Sequence, residues 1–135
     1  MAKLKLLSQV SQVTITEDDV LRGSIDVEYG SHVEVRSNAR CRLAYRCMAA
    51  WFNRVHVYGY PRAIEFGPDG GCFVRPLERH RSSTYLLSYR FDLHPSTVPG
   101  VYRWPLTLAV TADWDEVPQR LSPAALRMPP MRPTR

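Results

Sequence analysis

Residues Thr84 to Leu93 read TYLLSYRFDL, and every second side chain among them is bulky and apolar: Tyr85, Leu87, Tyr89, Phe91 and Leu93. Thr84, Ser88, Arg90 and Asp92 occupy the alternate places, with Leu86 the apolar exception. Successive side chains of an extended chain point to opposite faces, so this pattern predicts a strand with one face in a core and one in water. A helix would instead gather its apolar groups at intervals of three and four residues. No long window of this chain does so.

The same alternation recurs on both sides of this segment. Ile25, Val27 and Tyr29 alternate with Asp26 and Glu28; Gly30 is expected to turn the chain before Val33 and Val35 resume, with Glu34 and Arg36 outward. Cys41, Leu43, Tyr45 and Cys47 share a face opposite Arg40, Arg42 and Arg46. Tyr102, Trp104, Leu106, Leu108 and Val110 form a last strand. Pro105 sits on that strand's outward side, which places it at a sheet edge or a bulge because proline has no N–H to donate. GPDGG, 67–71, reads as a hairpin loop and VPGVY, 98–102, as a second break. Thr16, three residues before Asp19, is placed to cap one turn of helix that Gly23 stops. Short strands at spacings of about ten residues predict an all-β, antiparallel two-sheet sandwich, with an open barrel as the alternative closure.

At 135 residues the chain is expected to form one β-sandwich domain over 1–114, followed by a Pro/Arg-rich tail over 115–135. The tail reading rests on 117–135, which hold five of the eleven prolines and no acid. No apolar run approaches the roughly 18 residues of a membrane helix. The opening MAKLKLLSQV has lysines and a short apolar patch but no small-residue cleavage site, so it does not read as a signal peptide. That leaves the compartment undetermined.

Candidate chemistry is sparse. Cys41 and Cys47 lie about 20 Å apart if their strand is regular, too far for a disulfide. With Cys72 they match no zinc or CxxC spacing and read as small hydrophobes. His32, His56, His80 and His94 read as surface residues. GxSxG, HExxH, P-loop and GxGxxG motifs are all absent. The expectation is a protein without catalysis, cofactor or metal.

Charge supplies the one specific surface feature. The formal net charge is +5; six acids fall between Glu17 and Glu34, then six arginines and no acid from Arg36 to Arg62. Arg40, Arg42 and Arg46, extended by Arg36 and Arg54, form a candidate row for an anion or a protein partner. Tyr58 and Tyr60 are expected to be exposed beside it by their parity with His56. The competing reading pairs these arginines with Asp26, Glu28 and Glu34 on neighbouring strands.

LSYRFDLHPSTVPGVYRWPLTLAV, Leu87 to Val110, resembles the ending of bacterial immunoglobulin-like and pilin-like domains, in which a long strand passes through a PG-x-Y turn into an alternating last strand. VEVRSN, Val33 to Asn38, is similar to strand endings in small exported bacterial sandwich proteins. The resemblance implies an immunoglobulin-like sandwich of about seven to nine strands and a surface or assembly role without catalysis. Two functions follow as expectations. One is a structural or interaction subunit, such as a filament, coat or complex component. It would hold other protein subunits through KLKLLSQV, 3–10, and the tail. The other is a module binding nucleic acid or another polyanion on its arginine face.

Overall fold

The computed structural model describes residues 2–75 and 82–112. The expected tail, the boundary at 114 and His80 lie outside the described residues. Antiparallel strands dominate, with one short helix: β1 (Ala2–Gln9), β2 (Gln12–Ile15), α1 (Glu17–Arg22), β3 (Ser24–Ser37), β4 (Cys41–Cys47), β5 (Phe52–Tyr58), β6 (Ile64–Phe66), β7 (Gly71–Arg75), β8 (Ser82–Leu93), β9 (Gly100–Arg103) and β10 (Leu106–Ala112). They form a five-stranded sheet in the order β1-β3-β8-β5-β6, a three-stranded sheet β10-β4-β7 and a two-stranded sheet β2-β9.

β8 behaves as its alternation dictates. Tyr85, Leu87, Tyr89, Phe91 and Leu93 are all buried, and the strand lies at the centre of the largest sheet. From the three-stranded sheet, Cys41, Leu43 and Tyr45 enter the same core. Tyr45 stacks on Phe66 with ring centroids 5.0 Å apart and meets Tyr89 edge-on at 6.4 Å, so the two sheets bury aromatic surface against each other. The buried hydroxyls are satisfied in a chain. Tyr45 Oη lies 2.9 Å from Tyr60 Oη and 3.3 Å from Tyr89 Oη; Tyr89 donates to Ser31 Oγ (2.9 Å), and Ser31 donates to Gln9 Oε1 (3.2 Å). Burial pushes the phenols of Tyr45, Tyr60 and Tyr89 up, so each keeps its O–H to donate.

The helix start is as the sequence predicts. Thr16 Oγ1 accepts from the Asp19 N–H and Asp19 Oδ2 accepts from the Thr16 N–H, at 3.2 and 2.9 Å. Gly23, at φ 82, ends the turn.

Five local expectations are corrected. Gly30 does not turn the chain. β3 runs through it, and the register passes from Val27↔Tyr89 to Ser31↔Leu87, a bulge with two extra residues on β3. Glycine is needed there for close packing: a Cβ would lie 3.1 Å from Val27 Cγ1 and 3.2 Å from both Trp104 Cη2 and Tyr89 Cδ1. Tyr29, within the bulge at φ 52, is thrown outward instead of into the core. GPDGG is not a hairpin loop, because β6 pairs with β5 while β7 pairs with β4. Its turn, closed by Gly70 N–H to Gly67 O at 3.0 Å, carries the chain from one sheet to the other. Pro105 is fully buried between β9 and β10; it interrupts the expected single strand, and its carbonyl accepts from the Met48 N–H at 2.7 Å. Tyr60 is buried because Gly59, at φ 124, breaks the alternation after the exposed Tyr58.

Two further bulges set side-chain direction. In β1, Leu6 pairs with Val33 and Ser8 with His32, leaving Leu7 as an extra residue. In β5, Phe52 pairs with Leu93 and Arg54 with Asp92, leaving Asn53 extra, so Phe52 and Val55 both reach the core.

Candidate functional site

The predicted arginine row divides between two sheets. Arg42 and Arg46 project from the outer face of β4 with Ala44 between them, about 13 Å apart along the strand. Thr111 and Val74 flank Arg42, and Thr107 lies across from Arg46. Arg40 is exposed in the turn leading into β4. None of β4, β7 and β10 contains an acidic residue. Arg36 and Arg54 lie on the five-stranded sheet instead. Arg36 pairs in register with Lys3 and Ser82. Arg54 sits opposite Asp92, with its guanidinium 3.9 Å from Glu65.

The acids expected to neutralise the row also belong to the five-stranded sheet. Asp26 is held by Arg90, whose Nε donates at 2.8 Å and a terminal nitrogen at 3.4 Å. These hydrogen bonds keep the Asp26 carboxyl below the usual carboxylate range. Glu34 accepts from Ser82 Oγ at 2.9 Å. His56, read from sequence as a plain surface residue, is half-buried between two carboxylates, Asp92 at 3.0 Å and Glu65 at 3.3 Å. Asp26, Arg90, His56 and Glu65 are successive register partners across β3, β8, β5 and β6, forming one acid-base-base-acid row. Sequence spacing carries no trace of that row, since its members are distant in the chain.

The outer face of the five-stranded sheet also has an apolar spot. Ser88 Oγ accepts the Tyr29 N–H at 3.0 Å and pairs in register with Tyr58. Tyr29, Tyr58 and Leu86 are all exposed around it. At the sheet's edge, Leu6 and Leu7 of β1 are 49% and 42% exposed. They are consecutive at the bulge, so the strand offers two adjacent exposed apolar side chains there.

Reactive groups are few. All three cysteines are free; Cys41 is buried, and burial pushes the Cys47 thiol up, which lowers its nucleophilicity at neutral pH. Among the described residues, no three His, Cys, Asp or Glu side chains converge as a metal site, and no helix is long and apolar enough to cross a membrane. The arrangement is suited to contact: a basic face, a charged ladder with an apolar spot, and an apolar edge. Comparison with protein-family models, with curated proteins and with solved structures gave no match.

Proposed function

We propose that this chain is a non-enzymatic structural or interaction subunit, built as an immunoglobulin-like β-sandwich, that joins other copies through its strand edges. The carrying observation is β1. It ends the five-stranded sheet, so its outer edge offers backbone N–H and C=O groups to a strand from a neighbour. Its second half adds exposed Leu6 and Leu7. Lys3 and Lys5 occupy the first half, where charge discourages indiscriminate pairing and confines the open stretch to the leucines. The neighbour order supports the immunoglobulin-like reading. β1-β3-β8-β5 in one sheet and β4 beside β10 in the other follow the A-B-E-D and C-F relations of that sandwich.

The test is mass by light scattering over a concentration series, at low and high salt, for the wild type and for the double variant Leu6→Lys, Leu7→Lys. The expected result is a wild-type assembly that the variant reduces to the 15.5 kDa monomer. A wild type that stays at 15.5 kDa throughout overturns the reading.

One observation favours a second reading, polyanion binding: Arg42 and Arg46 project from the same face of β4. For that reading, oligonucleotide affinity falls steeply with salt, and Arg40→Glu with Arg46→Glu flattens the slope. Salt-independent binding would exclude it.

A further inference from the structure

On the side where β6 ends one sheet and β7 ends the other, the molecule opens into a cavity of about 530 Å³. That is within the range of about 300–1,000 Å³ usual for small-molecule sites. Its walls are chiefly apolar and aromatic, with Tyr60, Ile64, Phe73 and Tyr85 prominent. The rings are mutually packed, Tyr60 against Phe73 at 4.8 Å and against Tyr85 at 5.0 Å. The hydroxyl of Tyr60 is tied to Tyr45 at 2.9 Å, so this wall is fixed by the core behind it.

The charged side chains that line the cavity, among the described residues, are both arginines. Arg62 is exposed at the mouth, and Arg75 is 3% exposed. The Arg75 guanidinium is oriented by its own bonds: Nε donates to Tyr85 Oη at 3.1 Å and a terminal nitrogen donates to Ser83 Oγ at 2.9 Å. Those bonds tie Arg75 into the wall, whereas the Arg62 guanidinium at the mouth presents a planar fork that matches a carboxylate. The apolar walls select the body of a ligand, while Arg62 selects the sign of its head.

We propose that this cavity binds a small amphipathic carboxylate. Its apolar body packs against Tyr60, Ile64 and Phe73, and its anionic head lies toward Arg62 at the mouth. This site is independent of assembly through β1, which lies at the opposite edge of the five-stranded sheet.

The probes are 2-naphthoate and its uncharged counterpart 2-naphthalenemethanol, titrated into the full chain by calorimetry with amide shifts mapped by NMR. The expected result is one saturable naphthoate site, with the largest shifts at Tyr60, Ile64 and Phe73. Naphthoate should bind about tenfold tighter than the alcohol, the size of one charge-assisted hydrogen bond. Arg62→Gln, an exposed position that leaves the fold alone, should remove most of that preference without changing binding of the alcohol. Equal affinity for the two probes, shifts outside the cavity, or no saturable binding at millimolar concentration each overturns the proposal.

Discussion

Gly59 should be among the least replaceable residues of the five-stranded sheet, and Gly59→Ala tests why. The residue sits at φ 124, a region that side chains rarely adopt. An added Cβ would lie 2.4 Å from the Leu86 carbonyl oxygen and 3.0 Å from Leu87 Cδ2. The first contact is to β8 backbone at the centre of the sheet, which cannot swing away as a side-chain tip does. A residue forced into a sparsely populated dihedral region costs about 1–3 kcal/mol, and overpacking a tight site costs about 1–3 kcal/mol more. The loss should therefore be about 4 kcal/mol. With a urea m-value of about 2 kcal/mol per molar, the unfolding midpoint should fall by about 2 M. The assay is equilibrium urea unfolding followed by tryptophan fluorescence, since Trp51 is buried against Phe52 and Phe91. Gly67→Ala is the control: its nearest contact would be Asn53 O at 3.7 Å, so it should change stability by no more than about 0.5 kcal/mol. If both variants unfold at the wild-type midpoint, the close approach of Gly59 to β8 is wrong, and so is the account of why Tyr60 turns inward.

The hydroxyl chain predicts that Tyr89→Phe costs about 1–3 kcal/mol, because it leaves buried partners on both sides short of a bond. Combining it with Tyr45→Phe should cost less than the two single losses added, as a double-mutant cycle in urea would read. Thr16→Ala should lose about 1 kcal/mol with the N-cap, and additivity with Gly59→Ala would confirm that the two sites are independent. The Asp26 carboxyl is depressed in the folded state by Arg90, so its stabilisation is present above its unfolded value near 3.9 and is lost as pH falls through the lower folded value. Asp26→Asn should flatten the decline of Tm below about pH 4, and an unchanged acid limb would remove Asp26 from the account. A thiol reagent should titrate Cys72 fast, with buried Cys41 and half-buried Cys47 slow; two fast thiols would contradict the burial of β4.

The all-β class was legible because alternation is a local property: TYLLSYRFDL declares its inward face whatever strand lies beside it. The cap at Thr16 was legible for the same reason, its two hydrogen bonds closing within three residues. The departures all arise where a partner distant in sequence decides. Gly30 looks like a turn in isolation, yet Tyr89 and Trp104 pack against it and keep the strand going. GPDGG has hairpin chemistry, but β5 and β4 take its two flanking strands into different sheets. Arg36 and Arg46 are ten residues apart with no acid between, and nothing local reveals that the chain changes sheets at Ser37–Arg40. The cavity was invisible because its arginines and its aromatic rings come from three separate segments.

The bulges of β1 and β3 have unlike consequences when the strands are treated as a reading frame of period two. The extra Leu7 is a frameshift: Leu4 and Leu6 belong to the inward phase before it, and Gln9 takes that phase after it, reaching Ser31. The two extra residues around Tyr29 are an in-frame insertion, because Ile25 before them and Val33 and Val35 after them all stay in the core. β3 can therefore be lengthened at Tyr29 by pairs of residues without turning its second half inside out. The exposed spot of Tyr29, Tyr58 and Leu86 is then the place where this sheet can gain new surface while its interior stays unedited.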